Sequence, residues 1–460
     1  MNSSKVLYHL KQTGVVVRLV SALVISVALT ISSYGQSATE TASAPQPGGT
    51  ILTLDEAVRL ALGQASVYEQ ARLNERIAAE DVKQAQSAFL PRVISPLSVV
   101  YTTPSSATPL PGSARDPSFI AANAVAEYQA LAGVAGELDV AGRLRAGLRR
   151  SRAALAAAHA GSEVARRDLV QAVTENYYGL ALAAARRRSV ELTLAAAEEF
   201  ERITDLLVNG GEVAQVDLLR ARLQTATRRD EMEQARTNEA AATDILRFII
   251  GYDINAPIAV IDLMTTIPEP KDIDRYAAAT ITTRPEFVQF DSLRRAAEQE
   301  ISLARADRRP QLVYSVNGGF DSDTIKSTMI RQHLGGVLSI GVTIPIFDWG
   351  ISKSRERQAR FRIQSVETDR SLSKRNFTQQ FNTARSQAMS AITRFRIVST
   401  SITDAERNVA TSIARYRAGE ASIIEVTDAQ STLASQRTAL AQALFDYQVS
   451  SARLRQAAGQ

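Results

Sequence analysis

Along the chain the apolar residues alternate between two spacings, and the changes of spacing divide it into similar halves. From Leu52 to about Leu90 they recur at helical intervals, and Pro91 ends the run. Val93, Leu97, Val99 and Tyr101 then share one parity, the period of a strand. Thr103 to Pro117 is rich in Pro and Ser and reads as a loop, and a returning strand is expected over about Val125 to Leu138. The two arms form a β-hairpin, about ten residues per arm, the length that crosses a bilayer when tilted. Leu144 to Val208 contains no Pro, and its only Gly residues are 147, 161 and 179. As one helix it would be about 97 Å long at ~1.5 Å per residue. Gly210-Gly211 breaks it, and a returning helix reaches about Ile250, capped by Gly251. Asn255 to Asp272, with its prolines, reads as a linker.

The second half follows the same plan. A helix is expected over Ile273 to Arg309, ended by Pro310. Leu312, Tyr314, Val316 and Phe320 then alternate with Ser315, Asn317, Gly319 and Asp321. After a loop from Ser322 to His333, Leu338, Ile340, Val342 and Ile344 alternate with Ser339, Gly341 and Thr343. Apolar residues on one face and small polar ones on the other suit a wall between lipid and water. A soluble sandwich strand has the same alternation. A second long helix is expected from Ser352 to Ala418, broken at Gly419, and a last helix starts at about Ser422. There Ser422-Ile-Ile-Glu425 has the S-x-x-E form of a capping box.

The likeness between the halves is an internal repeat. One ungapped shift of 208 residues takes Gly419-Glu420 onto Gly211-Glu212, Glu425 onto Asp217 and Ala429 onto Ala221. The same shift takes Leu454-Arg455 onto Leu246-Arg247 and Gly459 onto Gly251. In the last helix Val426, Leu433, Leu440, Tyr447 and Leu454 recur every seventh residue, one seam of a coiled coil. A second face holds Ala and polar residues, which fits a helix packed on neighbours at both sides.

Composition narrows the classes. With one Trp and much Ala, Arg, Gln and Leu, the chain suits long helices better than a thick globular core. Of the net charge of +5, three charges belong to Lys5, Lys11 and Arg18, leaving about +2 on the rest. No basic block with interleaved aromatics points to nucleic acid. The chain has no Cys, so it has no disulfide or thiolate site. Residues 1–35 read as a secretory signal peptide: Lys5 and Lys11, an apolar run from Leu19 to Ile31, then small residues at Ser33-Tyr34-Gly35. Residues 36–51 read as a disordered lead-in. The domains expected are repeat 1 over 52–253, a linker over 254–272 and repeat 2 over 273–460. The β-hairpins fall at 91–138 and 310–346, and the helical tips at 209–214 and 417–422.

Catalytic chemistry has poor candidates. The three histidines, His9, His159 and His333, have no ligand spacing to one another, so no metal site is expected. No phosphate-binding, dinucleotide or nucleophile-elbow motif occurs, and neither an enzyme nor a cofactor is expected. Asp139 and Asp348 precede helices and read as N-caps. Trp349 reads as packing where strand meets helix, with an interfacial anchor as the alternative.

Two motifs carry a family resemblance. Arg415 to Gln430, RYRAGEASIIEVTDAQ, resembles the hairpin signature of TolC-like outer-membrane efflux proteins. Ile344 to Gly350, IPIFDWG, is similar to that family's strand-to-helix junction, with Leu138 to Arg143 as its first-half counterpart. Pro91 and Pro310 sit where the family leaves an ascending helix for a strand.

The resemblance implies a mainly α fold with a membrane β-barrel: a homotrimer with a 12-strand barrel and a 12-helix tunnel. It also implies an outer-membrane location, a tunnel reaching into the periplasm, and partnership with a periplasmic adaptor, an inner-membrane pump and outer-membrane lipid. By the same resemblance, Gly211 and Gly419 mark the adaptor-docking tips. Glu425 and Asp428 line the periplasmic gate, and Tyr416 with Asp217 forms one of its closing links. A second link of the family uses a basic residue where this chain has Ala421, and Arg417 or Arg415 is the candidate substitute. The function expected is the exit duct of a tripartite efflux system. The alternatives are the exit duct of a type I protein secretion system or a periplasmic coiled-coil scaffold without a pore. Physics adds one constraint: four strands cannot close a barrel, and open edges are not tolerated in lipid, so hairpins that enter a membrane require oligomerisation.

Overall fold

The computed structural model describes residues 51–101, 126–263, 268–276, 278–322 and 325–459. The expected signal peptide, the Thr103–Pro117 loop and part of the linker lie outside them. Four long helices dominate: α3 (Arg143–Asn209), α4 (Gln215–Ile250), α8 (Ile351–Arg417) and α9 (Ile423–Ala457). At 67 residues each, α3 and α8 are about 100 Å long at ~1.5 Å per residue. No helix among the described residues is long and apolar enough to cross a membrane.

The two ascending helices are not continuous, contrary to expectation. The first is α1 (Leu54–Leu62) and α2 (Val67–Ser87). Gly63 caps α1, and the Ser66 hydroxyl accepts from the Glu69 amide at 3.4 Å to start α2. A stop signal followed at once by a start signal outweighs the shared apolar period. The second comprises a short turn α5 (Lys271–Asp274), a 3-10 helix (Ala278–Thr283) and α6 (Pro285–Ala306). Pro285 sets this break: it fits the first helical position, where no amide is needed, and holds Arg284 extended at ψ 143°. The linker is tied down. Leu52 donates to the Ala259 carbonyl at 2.8 Å, and the Tyr177 hydroxyl donates to Leu52 and accepts from the Ile261 amide.

The strands form one antiparallel sheet. Its arms are β1 (Arg92–Ile94) with β2 (Leu97–Tyr101), then β3 (Ala126–Leu138), β4 (Gln311–Ser322) and β5 (Leu334–Thr343). Ser95-Pro96 interrupts the first arm, because proline cannot donate to a ladder. A six-residue helix, α7 (Ser327–Gln332), lies in the expected β4–β5 loop. The join between the repeats is β3 on β4, paired from Tyr128↔Ser322 to Leu138↔Leu312. This register aligns the apolar residues of both repeats. Val93, Val134, Val316 and Leu338 form one cross-strand row, and Leu97, Ala130, Phe320 and Leu334 another. The opposite face carries rows such as Ala135, Ser315 and Ser339. The apolar face is bare: Val93 is 84% exposed, and Leu97, Val99, Leu338, Ile340 and Val342 are exposed with it.

Strand and long helix meet at matching corners. Gly142 and Gly350 both stand at φ 82°, which favours glycine, and open α3 and α8. Neither Asp is the N-cap itself, which corrects the sequence reading in position though not in role. Asp139 reaches forward to the amides of Leu144 and Arg145, each at 3.0 Å. Asp348 accepts from Gly350 at 3.0 Å and Ser352 at 2.9 Å, and Ser352 holds its carboxyl below the usual range. Trp349 is not buried packing: it is 87% exposed and edge-on to Phe347, the ring centres 4.7 Å apart.

The helical core is thin and rich in alanine. The α9 heptad is buried throughout, from Val426 to Leu454, and its second face buries Ala429, Ala443 and Ser450. Alanine lets helix axes approach closely, so long helices pack side by side without bulky layers between them.

Candidate gate at the helical tips

Both tips end in the same capping arrangement, bond for bond. In the first, the Gly211 amide donates to Val208 at 2.9 Å and the Glu212 amide to Leu207 at 2.8 Å. In the second, Gly419 donates to Tyr416 at 3.0 Å and Glu420 to Arg415 at 2.9 Å. These are the paired bonds of a Schellman turn, which needs a left-handed residue. Gly211 supplies it at φ 77° and Gly419 at φ 75°. A Cβ at either glycine would meet nothing within 4 Å, so the space around both turns is open.

Just above the turns the hairpins touch through a small apolar core. Phe200, Ala221, Tyr416, Ile423 and Val426 form it, with Leu207, Val213 and Ala421 against it. Ala421, where the resemblance implies a basic residue, therefore packs against this core. Tyr416 is buried, and its hydroxyl makes no hydrogen bond of normal geometry. Burial pushes its pKa up. The Thr204 hydroxyl pulls it down, and the nearby Asp217 carboxylate raises it further. The expected Tyr416–Asp217 link is thus proximity without a hydrogen bond, and Asp217 faces Arg220 at 3.7 Å.

Glu425 does not complete a capping box. Ser422 is the N-cap of α9, but its side chain makes no capping bond. Glu425 instead accepts from Arg415 Nη1 at 2.5 Å, and Arg415 Nη2 reaches the Glu420 carbonyl at 3.4 Å. The guanidinium, the stronger partner, draws the carboxylate away from the backbone amide. Arg415 therefore stitches its own hairpin. Arg417 acts across to the first hairpin, where its charge favours the ionised form of Glu199 after that group's own hydrogen bond to Arg202. Asp428, one turn beyond Glu425, is exposed and makes no ion pair among the described residues. It borders an open groove between α4 and α9, with Arg220, Gln224 and Arg228 on the facing wall.

One contact across that groove has no signal in the sequence. Gln224 Nε2 donates to Gln430 Oε1 at 2.9 Å, while Gln224 Oε1 and Gln430 Nε2 stay buried and unbonded. The repeat shift does not relate these glutamines to each other, and no periodicity marks them. Elsewhere, His159 lies against Glu75 at 2.9 Å, a cross-helix contact. Among the described residues no group of three or more His, Asp or Glu is arranged to hold a metal.

Two repeats, each a β-hairpin continued into a helical hairpin more than 50 Å long, define a duplicated architecture of a small sheet extended by long antiparallel helices. The chain belongs to the outer membrane efflux protein family, whose model matches residues 57–252 and 279–460. The alkaline protease secretion protein AprF of Pseudomonas aeruginosa is 22% identical over 302 residues, 64% of this chain and 61% of that one. Outer membrane protein TolC of Escherichia coli is 22% identical over 263 residues, 55% of this chain and 53% of that one. The chain thus spans between about half and three-fifths of the length of these curated relatives. The fold matches the outer membrane protein VceC of Vibrio cholerae with a TM-score of 0.76 at 17% identity, covering 88% of this chain and 96% of that one. The chain is accordingly mainly helical with a small sheet, of the TolC-like type, and an outer-membrane protein.

Proposed function

We propose that the chain is the exit duct of a tripartite efflux or export system, spanning the outer membrane with its sheet and the periplasm with its helices. The bare apolar face of the sheet supports this most directly, because a soluble scaffold has no use for it. The sheet has two open edges, β1–β2 from repeat 1 and β5 from repeat 2. The four arms alternate in direction, so the edge arms run oppositely. One copy's β5 meets the next copy's β1–β2 in antiparallel order, and copies add until the ring closes. Three copies give 12 strands and 12 long-helix positions around one conduit. The mass of the detergent-solubilised protein, measured with correction for bound detergent, tests this. A trimer is expected, and a stable monomer in mild detergent would reject it.

In this reading the tips at Gly211 and Gly419 receive a periplasmic adaptor, which couples the duct to an inner-membrane pump. Glu425 and Asp428 line the narrow end, and Tyr416 with Asp217 stands behind it where the hairpins meet. A second reading, the exit duct of a protein secretion system, is favoured by the likeness to AprF, described as a secretion protein for alkaline protease. Loss of drug tolerance in a deletion strain supports the first. Retention of a secreted protein in the cell supports the second.

A further inference from the structure

A second site lies far along the helices from the tips, where the repeats dock on one another. Between α1, α3 and the end of α9 is a half-open cavity of about 310 Å³, at the lower end of the roughly 300–1,000 Å³ of small-molecule pockets. Three guanidiniums line it, Arg166, Arg167 and Arg455, and no Asp or Glu does.

The three arginines are not equally committed. Arg167 donates to the Gln456 carbonyl at 2.7 Å and faces Glu286 at 3.9 Å, so it serves mainly to close the end of α9. Among the described residues Arg166 gives only its Nε, to Glu163 at 2.9 Å. Arg455 makes no ion pair among the described residues; its Nε donates to the Tyr276 hydroxyl at 3.3 Å, which anchors the guanidinium. Both therefore keep their terminal nitrogens, the pair that binds an oxyanion in fork geometry. Tyr178, Gln448 and Ser451 add neutral donors from the same walls. Arg455 also lies close enough to Tyr178 to favour its ionised form, against the larger effect of burial. Leu54 and Val170 supply an apolar floor beside the Tyr178 ring.

We propose that this cavity binds a small organic anion, a carboxylate or phosphate monoester carrying a flat apolar body. The charged head pairs with Arg455 and Arg166, and the body lies on Leu54, Val170 and Tyr178. A bare oxyanion would leave most of the space unfilled, since a water occupies about 30 Å³. The walls come from both repeats, α3 from the first and α9 from the second, so a ligand here also braces one repeat against the other. The inference rests on the cavity alone and does not depend on the channel reading.

The test is calorimetric titration of the full chain in detergent with 1-naphthyl phosphate, inorganic phosphate and neutral 1-naphthol. The expectation is saturable binding of naphthyl phosphate, at least tenfold weaker binding of inorganic phosphate, and only detergent partitioning for naphthol. Arg455→Gln and Arg166→Gln should each weaken naphthyl phosphate about tenfold. Arg453→Gln, on the same helix but paired with Glu175 outside the cavity, should not. The unfolding temperature should rise with the probe in the wild type and not in Arg455→Gln, which separates binding from misfolding. No saturable binding at millimolar probe, or equal binding by all three variants, would overturn the proposal. Lower trimer stability of the two cavity variants without any probe binding would also overturn it, by assigning the arginines to a neighbouring copy.

Discussion

The ring of Phe200 lies 5.2 Å from the ring of Tyr416, tilted by 56°, and through this contact the first helical hairpin holds the second near the tips. Both residues are buried. Phe200→Ala should cost about 3–5 kcal/mol where the surroundings cannot collapse. Tyr416→Phe removes a hydroxyl that makes no hydrogen bond of normal geometry, so it should cost less than about 1 kcal/mol. Hydrogen exchange of the two turns is the measurement. Phe200→Ala should speed it, with Tyr416→Phe near the wild type. Equal acceleration by both would mean that the hydroxyl bonds to Asp217 in the assembly.

If Glu425 and Asp428 line the narrow end as proposed, they should differ in effect. Two unit charges about 7 Å apart interact by roughly 2–3 kcal/mol at an effective dielectric near 20. Glu425 is partly neutralised by Arg415, while Asp428 is not. In single-channel recordings Asp428→Asn should reduce cation selectivity more than Glu425→Gln does. Arg415→Gln should raise selectivity by freeing Glu425. Unchanged selectivity in the assembled Glu425→Gln, Asp428→Asn double variant would take both residues out of the gate.

Gly419→Ala offers a clean test of docking. The methyl group meets no neighbour, so its cost is backbone strain, on the order of 1 kcal/mol. A larger residue such as Gly419→Leu adds little strain beyond that but occupies the space a partner needs. Efflux should fall much further with Leu than with Ala while trimer yield stays level. A parallel loss of efflux and trimer would leave Gly419 with helix termination alone.

Acid should weaken the corner where α6 meets α8. Arg305, then Arg360, hold the Glu356 carboxyl down at about 2, against an ordinary 4.5, and Arg308 also reaches it. A lowered folded-state pKa stabilises above the ordinary value, and that stability is lost as pH falls from about 4.5 toward 2. Unfolding temperatures over this range should drop more steeply for the wild type than for Glu356→Gln. Parallel curves would exclude this carboxylate as a source of acid lability.

Much of the architecture was legible because periodicity and breakers agree over long stretches. Pro91 and Pro310 precede strands, Gly211 and Gly419 turn the tips, and the Val426–Leu454 heptad is buried. The misses have three different causes. Glu425 prefers Arg415 to its backbone amide, which spacing along one helix does not reveal. The break at Pro285 was written in the sequence, but an apolar period on both sides masked it. The Gln224–Gln430 contact depends on how two helices 206 positions apart are rotated, which no one-dimensional pattern encodes.

The two edges of the sheet come from different repeats, and this has a genetic consequence. In the proposed ring, contacts between copies are head-to-tail, so the ring fails if any single member has a faulty edge. A variant whose β5 edge cannot pair, through a proline that removes an edge donor, would therefore poison wild-type subunits made in the same cell. With equal expression and random mixing into threes, roughly one ring in eight escapes. Such an allele would be dominant, whereas a null allele of the same gene would be recessive.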